Sequence, residues 1–258
     1  RVIYIHLTGS PPHLDMWDYK PELVKRTDQE CPDEFVKGKT FAFTSGTPKL
    51  MGTPRTFKQY GKSGMWMSDA IPNFHEHADD FCVIKSMHTE AINHDPAITF
   101  CQTGHQLAGR PSIGSWLSYG LGTENKDLPA YVVMTSWGTG RPNDQPLYDR
   151  LWGAGFLPTQ HQGVKFRNSG DPVLYLSDPK GINRKMRRNM LDEIAKLNRK
   201  DRQVVGDPEI DARISQYEMA FRMQSSVPDL TDVSKEPKHI LDSYGPDVLK
   251  PGTYAANC

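Results

Sequence analysis

The run Val2-Ile3-Tyr4-Ile5-His6-Leu7, broken at once by Thr8-Gly9-Ser10-Pro11-Pro12, decides the reading of the fold. Apolar or β-branched residues at nearly every position suit a strand buried on both faces, the pattern of a parallel sheet. Gly and Pro then turn the chain into a loop. Outward from there, Phe81-Cys82-Val83-Ile84 and Ala130-Tyr131-Val132-Val133-Met134 repeat the strand pattern. Between them, His94 to Gly104 reads as a helix with Asp95 and Pro96 in its first turn, where an acid and a proline are both favourable. Pro111 to Leu121 reads as a shorter helix. Strand and helix in alternation predict an α/β fold, a mostly parallel sheet flanked by helices. Trp66 to Ala78 reads as helical, interrupted by Pro72, and Asp28 to Gly64 as a long ordered loop.

The character changes near Gly181. Met186, Met190, Ile194 and Leu197 recur at helical spacing, and Asp207-Pro208-Glu209 opens a second helix with stripe residues Ile210, Ile214, Tyr217 and Phe221. Asp caps a helix and Pro suits its first position. The pair predicts a helical hairpin over about 181–227, packed on the sheet or serving as a lid. The stripes read as core.

Composition narrows the function classes. The 258 residues carry 31 basic and 31 acidic side chains, so the basic excess of a nucleic-acid binder is missing. The apolar runs are strand-sized, well short of the roughly 20 residues of a spanning helix. Cys31, Cys82, Cys101 and Cys258 form no C-x-x-C pair, which argues against a zinc knuckle or dithiol site. There is no G-x-S-x-G elbow, H-E-x-x-H motif or P-loop. The chain opens at Arg1 inside a strand-like run and stops at Ala255-Ala256-Asn257-Cys258, and both ends read as cuts in a larger protein.

Two polar loops fall where a parallel sheet presents ligands, beyond the carboxyl ends of its strands. The first, Gly9 to Asp18, places His13, Asp15 and Asp18 within six residues. Nitrogen and oxygen donors of this kind can hold a divalent metal, and the same residues also serve as turn chemistry. The second runs Ser86-Met87-His88-Thr89-Glu90-Ala91-Ile92-Asn93-His94-Asp95 into a helix. A helix N-terminus favours an anion, so a phosphate or sulfate ester fits here. The alternative is that Asp95 caps the helix while His88 and His94 face solvent. Arg110, in the Gly-rich segment that follows, can bind an anion or belong to a tight interhelical connection. His75 and His77 read as exposed, and Asn143 and Asp144 as a solvated turn.

Several segments resemble one family. They are the first strand with Gly-Ser-Pro-Pro-His-Leu-Asp-Met-Trp-Asp, Lys85 to Thr89, Asn93 to Ala97, Thr103-Gly104-His105, Pro111 to Trp116, Tyr119 to Gly122, Trp152 to Pro158 and Gln216 to Gln224. In this order they resemble the bacterial domain-of-unknown-function family 1501, itself similar to the alkaline-phosphatase and sulfatase superfamily. The resemblance implies an alkaline-phosphatase-like domain, incomplete at the carboxyl end, in a protein exported to the periplasm or beyond by a twin-arginine signal. It further implies a metal-dependent hydrolase of sulfate or phosphate esters, small or on sulfated or phosphorylated glycans, with Ca, Mg, Mn or Zn bound. A non-catalytic exported binding or structural protein of the same fold is the alternative.

Carried over residue by residue, the superfamily's metal-binding Asp at the end of strand one is replaced here by Thr8 and Gly9, with His13, Asp15 and Asp18 the nearest donors. The nucleophile region holds Asn93 and His94, and Thr89 is the nearest hydroxyl. His94 could act as nucleophile or ligand, and Arg110 and His88 would hold the anion. The superfamily's remaining ligands come from segments beyond residue 258, so these residues alone are expected to bind metal poorly and turn over nothing.

Overall fold

The computed structural model describes residues 1–9, 11–39, 45–136, 147–167, 171–174 and 176–258. Ser10, Asn143 and Asp144, named above, lie outside them. The chain divides into two compact units, Arg1–Ala97 and Ile98–Cys258.

The first unit is organised on a β-hairpin. Strands β1 (Phe57–Tyr60) and β2 (Met65–Ser68) pair antiparallel, Phe57 opposite Ser68 and Tyr60 opposite Met65. Gly61 makes their turn possible. Its φ is +68°, and an added Cβ would lie 2.5 Å from the Asp79 carboxylate. That carboxylate accepts the Lys62 and Ser63 backbone N–H groups at 2.8 and 2.9 Å, which holds its pKa below the ordinary value. Short helices α1 (Pro21–Lys25) and α2 (Asp33–Val36) precede the hairpin, and a 3₁₀ stretch, Pro72–Asp80, follows it. Met16, Met67, Ile71 and Ala78 form the core, backed by Trp17, Tyr60 and Met65. Tyr19 stacks on Phe57, and Tyr60 stacks on His75.

Three expectations change here. Trp66 to Ala78 is a strand followed by a 3₁₀ turn, because the glycine turn returns β2 against β1 and Pro72 opens the 3₁₀ stretch. His75 is half-buried beneath Tyr60 and meets the Ser68 carbonyl at 2.9 Å, while His77 is exposed. Neither Val2 to Leu7 nor Phe81 to Ile84 forms a strand. Ile3 is 89% exposed and Ile84 65%. A buried strand needs neighbours on both edges to satisfy its N–H and C=O groups. Among the described residues neither run has a ladder partner.

Helix α3 (His94–Thr103) crosses from the first unit into the second. The second unit continues with α4 (Ile113–Leu121), capped by the Ser112 hydroxyl, which accepts the Ser115 N–H. Strands β3 (Val132–Met134) and β4 (Val164–Phe166) then pair in parallel, Val132 opposite Val164. The expected strand at Ala130 to Met134 therefore forms, and its partner is a parallel one. Two 3₁₀ turns, Asp149–Trp152 and Thr159–His161, lie on the crossover. Tyr131, beside β3, supports α4 so closely that a Cβ on Gly114 would lie 2.3 Å from its ring. Ile98, Leu151 and Trp152 form one core cluster, and Phe166, Leu176, Met223 and Val227 another.

The expected hairpin is α5 (Arg184–Val205) and α6 (Glu209–Thr231). Asn183 caps α5, Gly206 ends it at φ +78°, and Asp207 accepts the Glu209 N–H at 2.9 Å. Its apolar stripe is a correction. Met186, Met190, Ile194 and Leu197 are exposed, and the buried α5 residues are Leu191 and Ala195. On α6 the buried residues are Ala212, Met223 and Val227, while Tyr217 is exposed. The face α5 turns to α6 also carries Arg188, which bonds to Glu218. Helices α7 (Lys238–Ser243) and α8 (Tyr254–Asn257) complete the chain. Among the described residues no helix is long and apolar enough to cross a membrane, and no disulfide joins the four cysteines.

Candidate functional site

The two polar loops meet in the first unit. Gly9 has φ +71°, and a Cβ placed on it would lie 2.6 Å from Nδ1 of His94. The backbone leaving the first run thus passes against the imidazole at the head of α3, an approach that only a residue without a side chain permits. His94 is exposed on its other sides. Asn93 stands just before α3, and its carbonyl accepts the Ala97 N–H at 3.2 Å. Thr89 spends its hydroxyl locally, accepting the Ala91 N–H at 3.1 Å, and His88 is exposed.

His13 and Asp15 sit on a 3₁₀ turn, His13–Asp15, and Asp18 follows it, yet the carboxylates go to different partners. The Asp15 carboxylate accepts the Thr53 hydroxyl at 2.6 Å. Asp18 is buried, 3.0 Å from Lys20 Nζ and 3.9 Å from His13 Nε2. Among the described residues, no three His, Cys, Asp or Glu side chains converge as a metal would require. The arrangement of His13, Asp15 and Asp18 therefore does not fit a resident divalent ion. Arg110 lies in the second unit, exposed, with no side-chain partner among the described residues.

The family model of DUF1501, described as a protein of unknown function, matches residues 1–258. The chain belongs to the DUF1501 family. No curated protein and no solved structure matches it. In this DUF1501 chain one pairing escaped the sequence reading. The Ser118 hydroxyl lies 3.0 Å from His161 Nδ1, although 43 residues separate them. Neither residue carries a local signal, because a lone His in a turn and a Ser inside a helix are both commonplace. Tyr119 packs edge-on against the same imidazole, and Gln160 lies 3.2 Å from its Nε2. Burial pushes the His161 pKa below its ordinary value. A Ser–His hydrogen bond is the geometry of a nucleophile and its base. Ser118, however, is only 6% exposed and sits inside α4, so the pair ties that helix to the Thr159–His161 turn. Beside it, Ser112 and Ser115 share a 2.9 Å hydroxyl contact, and burial pushes the Tyr131 phenol upward.

Proposed function

We propose that the protein hydrolyses sulfate or phosphate esters, small or carried on glycans, in an exported setting, with the head of α3 as the reacting centre. The observation that carries this reading is the meeting of Gly9 and His94, which joins the two polar loops at one imidazole. There His94 would take a proton from water as that water's oxygen bonds to phosphorus or sulfur. The bridging ester bond breaks, and the proton passes to the departing alcohol. Asn93 and Thr89 flank this position in sequence, and His88, in the same loop, is the candidate for holding the anion. The resemblance to sulfatases adds a divalent cation, which would polarise the ester oxygen. His13, Asp15 and Asp18 do not present a common face to such a cation.

The test is a panel of aryl and glycan sulfate and phosphate esters, assayed with the complete gene product and with its His94→Ala variant. Hydrolysis that falls about 100- to 10,000-fold in the variant supports the reading. No hydrolysis in any member of the panel, or equal rates for the two proteins, overturns it.

A second reading has its own observation. The carboxylates of Asp15 and Asp18 are committed to Thr53 and Lys20, as in a protein that keeps the fold for binding or structure. Tight binding of sulfated glycans without turnover, unchanged in His94→Ala, would favour it.

A further inference from the structure

We infer that Asp15 is a structural latch, tying its turn through the side chain to Thr53 ahead of β1 and through the main-chain carbonyl to Ser68 of β2, and that it is not a metal ligand. The inference is independent of ester hydrolysis at His94. Both polar ends of Asp15 are engaged across 38 or more residues of sequence. Its side-chain Oδ1 accepts the Thr53 hydroxyl at 2.6 Å, and its main-chain carbonyl accepts the Ser68 hydroxyl. Ser68 is fully buried, and its N–H donates to the next carbonyl, that of Met16, at 3.0 Å. Met16 in turn enters the core with Met67, Ile71 and Ala78.

The turn itself is closed from within. The backbone N–H groups of Met16, Trp17 and Asp18 converge on the His13 carbonyl at 3.1, 3.1 and 3.2 Å. Thr53 is likewise held, since its hydroxyl accepts the Arg55 N–H at 3.1 Å. A ligand to a divalent cation must aim its oxygen at a shared centre with two or more other donors. Asp15 aims its oxygen at a hydroxyl group, and His13 and Asp18 turn to each other and to Lys20. A carboxylate oxygen held by a charge-assisted hydrogen bond contributes to stability in its own right.

The experiment compares thermal melting of the protein with that of Asp15→Asn, Asp15→Ala, Thr53→Val and the Asp15→Ala/Thr53→Val double variant. Each is melted in EDTA and with Mg²⁺, Ca²⁺, Mn²⁺ or Zn²⁺ alone. A latch predicts that Asp15→Ala and Thr53→Val each lower Tm by about 3–6 °C, and that the double variant loses little more than either. Asp15→Asn keeps an acceptor for the Thr53 hydroxyl and should lose less than half of that. Every cation should then shift the parent protein and Asp15→Asn equally, a shift of zero included. Should Asp15→Ala fail to fold, Thr53→Val and Asp15→Asn carry the comparison. A cation that raises the parent Tm but not that of Asp15→Asn would overturn the inference. So would a Thr53→Val variant that melts with the parent.

Discussion

Replacing Glu218 with Gln tests what holds α5 against α6. Leu191 and Ala195 are the only buried residues of α5 among those described, so its apolar anchorage amounts to one leucine and one alanine. Polar fasteners must then contribute measurably. Arg188 donates from Nη1 and Nη2 to the two Glu218 oxygens at 2.9 and 2.6 Å, a bidentate pair whose side chains are 30% and 32% exposed. Fully exposed pairs are worth about 0–1 kcal/mol, and breaking a fully buried one costs about 3–5. One-third exposure with fork geometry places this pair near 1.5 kcal/mol. The lower half of that range is favoured because Arg188 keeps Asp192, 3.0 Å from its Nε, after Glu218 is neutralised. The expected loss is about 1–1.5 kcal/mol, a Tm decrease of roughly 2–6 °C. A double-mutant cycle of Glu218→Gln with Arg188→Met isolates the coupling by urea denaturation. The hydrogen bond from Arg188 holds the Glu218 carboxyl below its ordinary value of 4.5. Its contribution is therefore complete above that pH and is lost as pH falls through the lower folded value. A coupling under about 0.3 kcal/mol at neutral pH would refute the reasoning.

Four further outcomes are expected. Gly9→Ala forces a side chain into positive φ and displaces the His94 ring, costing about 1–2 kcal/mol and reproducing the His94→Ala loss of hydrolysis; full activity in this variant would refute the role of the contact. Val227 is 0% exposed in the core with Phe166, Leu176 and Met223, so Val227→Ala should cost about 2–3 kcal/mol in urea, and a cost under about 0.5 would count against that core. At Gly155, φ is +58° and a Cβ would lie 2.4 Å from the backbone of Arg110 and Pro111, so Gly155→Ala should destabilise by at least about 3 kcal/mol in the same assay. Burial lowers the His161 pKa from 6.5, so its stabilising effect is present above pH 6.5 and lost as pH falls through the folded value; an NMR titration placing His161 at or above 6.5 would contradict this.

Local signals were legible where a short stretch satisfies itself. Asp95 falls in the first turn of α3, and Ser112 before α4 and Asp207 at the start of α6 each accept a backbone N–H within one helical turn. Those helices could be read from the chain, as could the candidates His94 and Asn93 at the head of α3. Partners far apart in sequence could not. The apolar content of Val2 to Leu7 suits a strand, but a strand exists only where another supplies the ladder, and among the described residues none pairs with it. The stripe on α5 has helical spacing, yet which side of a helix is buried depends on what it meets, and the side buried here carries Leu191 and Ala195.

By itself, the sequence marked helices α3 to α6, a strand at Val132–Met134 and the polar loops, and it carried the likeness to the DUF1501 family. Only the tertiary structure decided that Gly9 meets His94, that Asp15 answers Thr53, and that Ser118 answers His161. The reason is physical. Caps and turns are closed by neighbours a few residues away, whereas a carboxylate or imidazole takes its role from whichever distant group the packed chain brings within hydrogen-bonding reach.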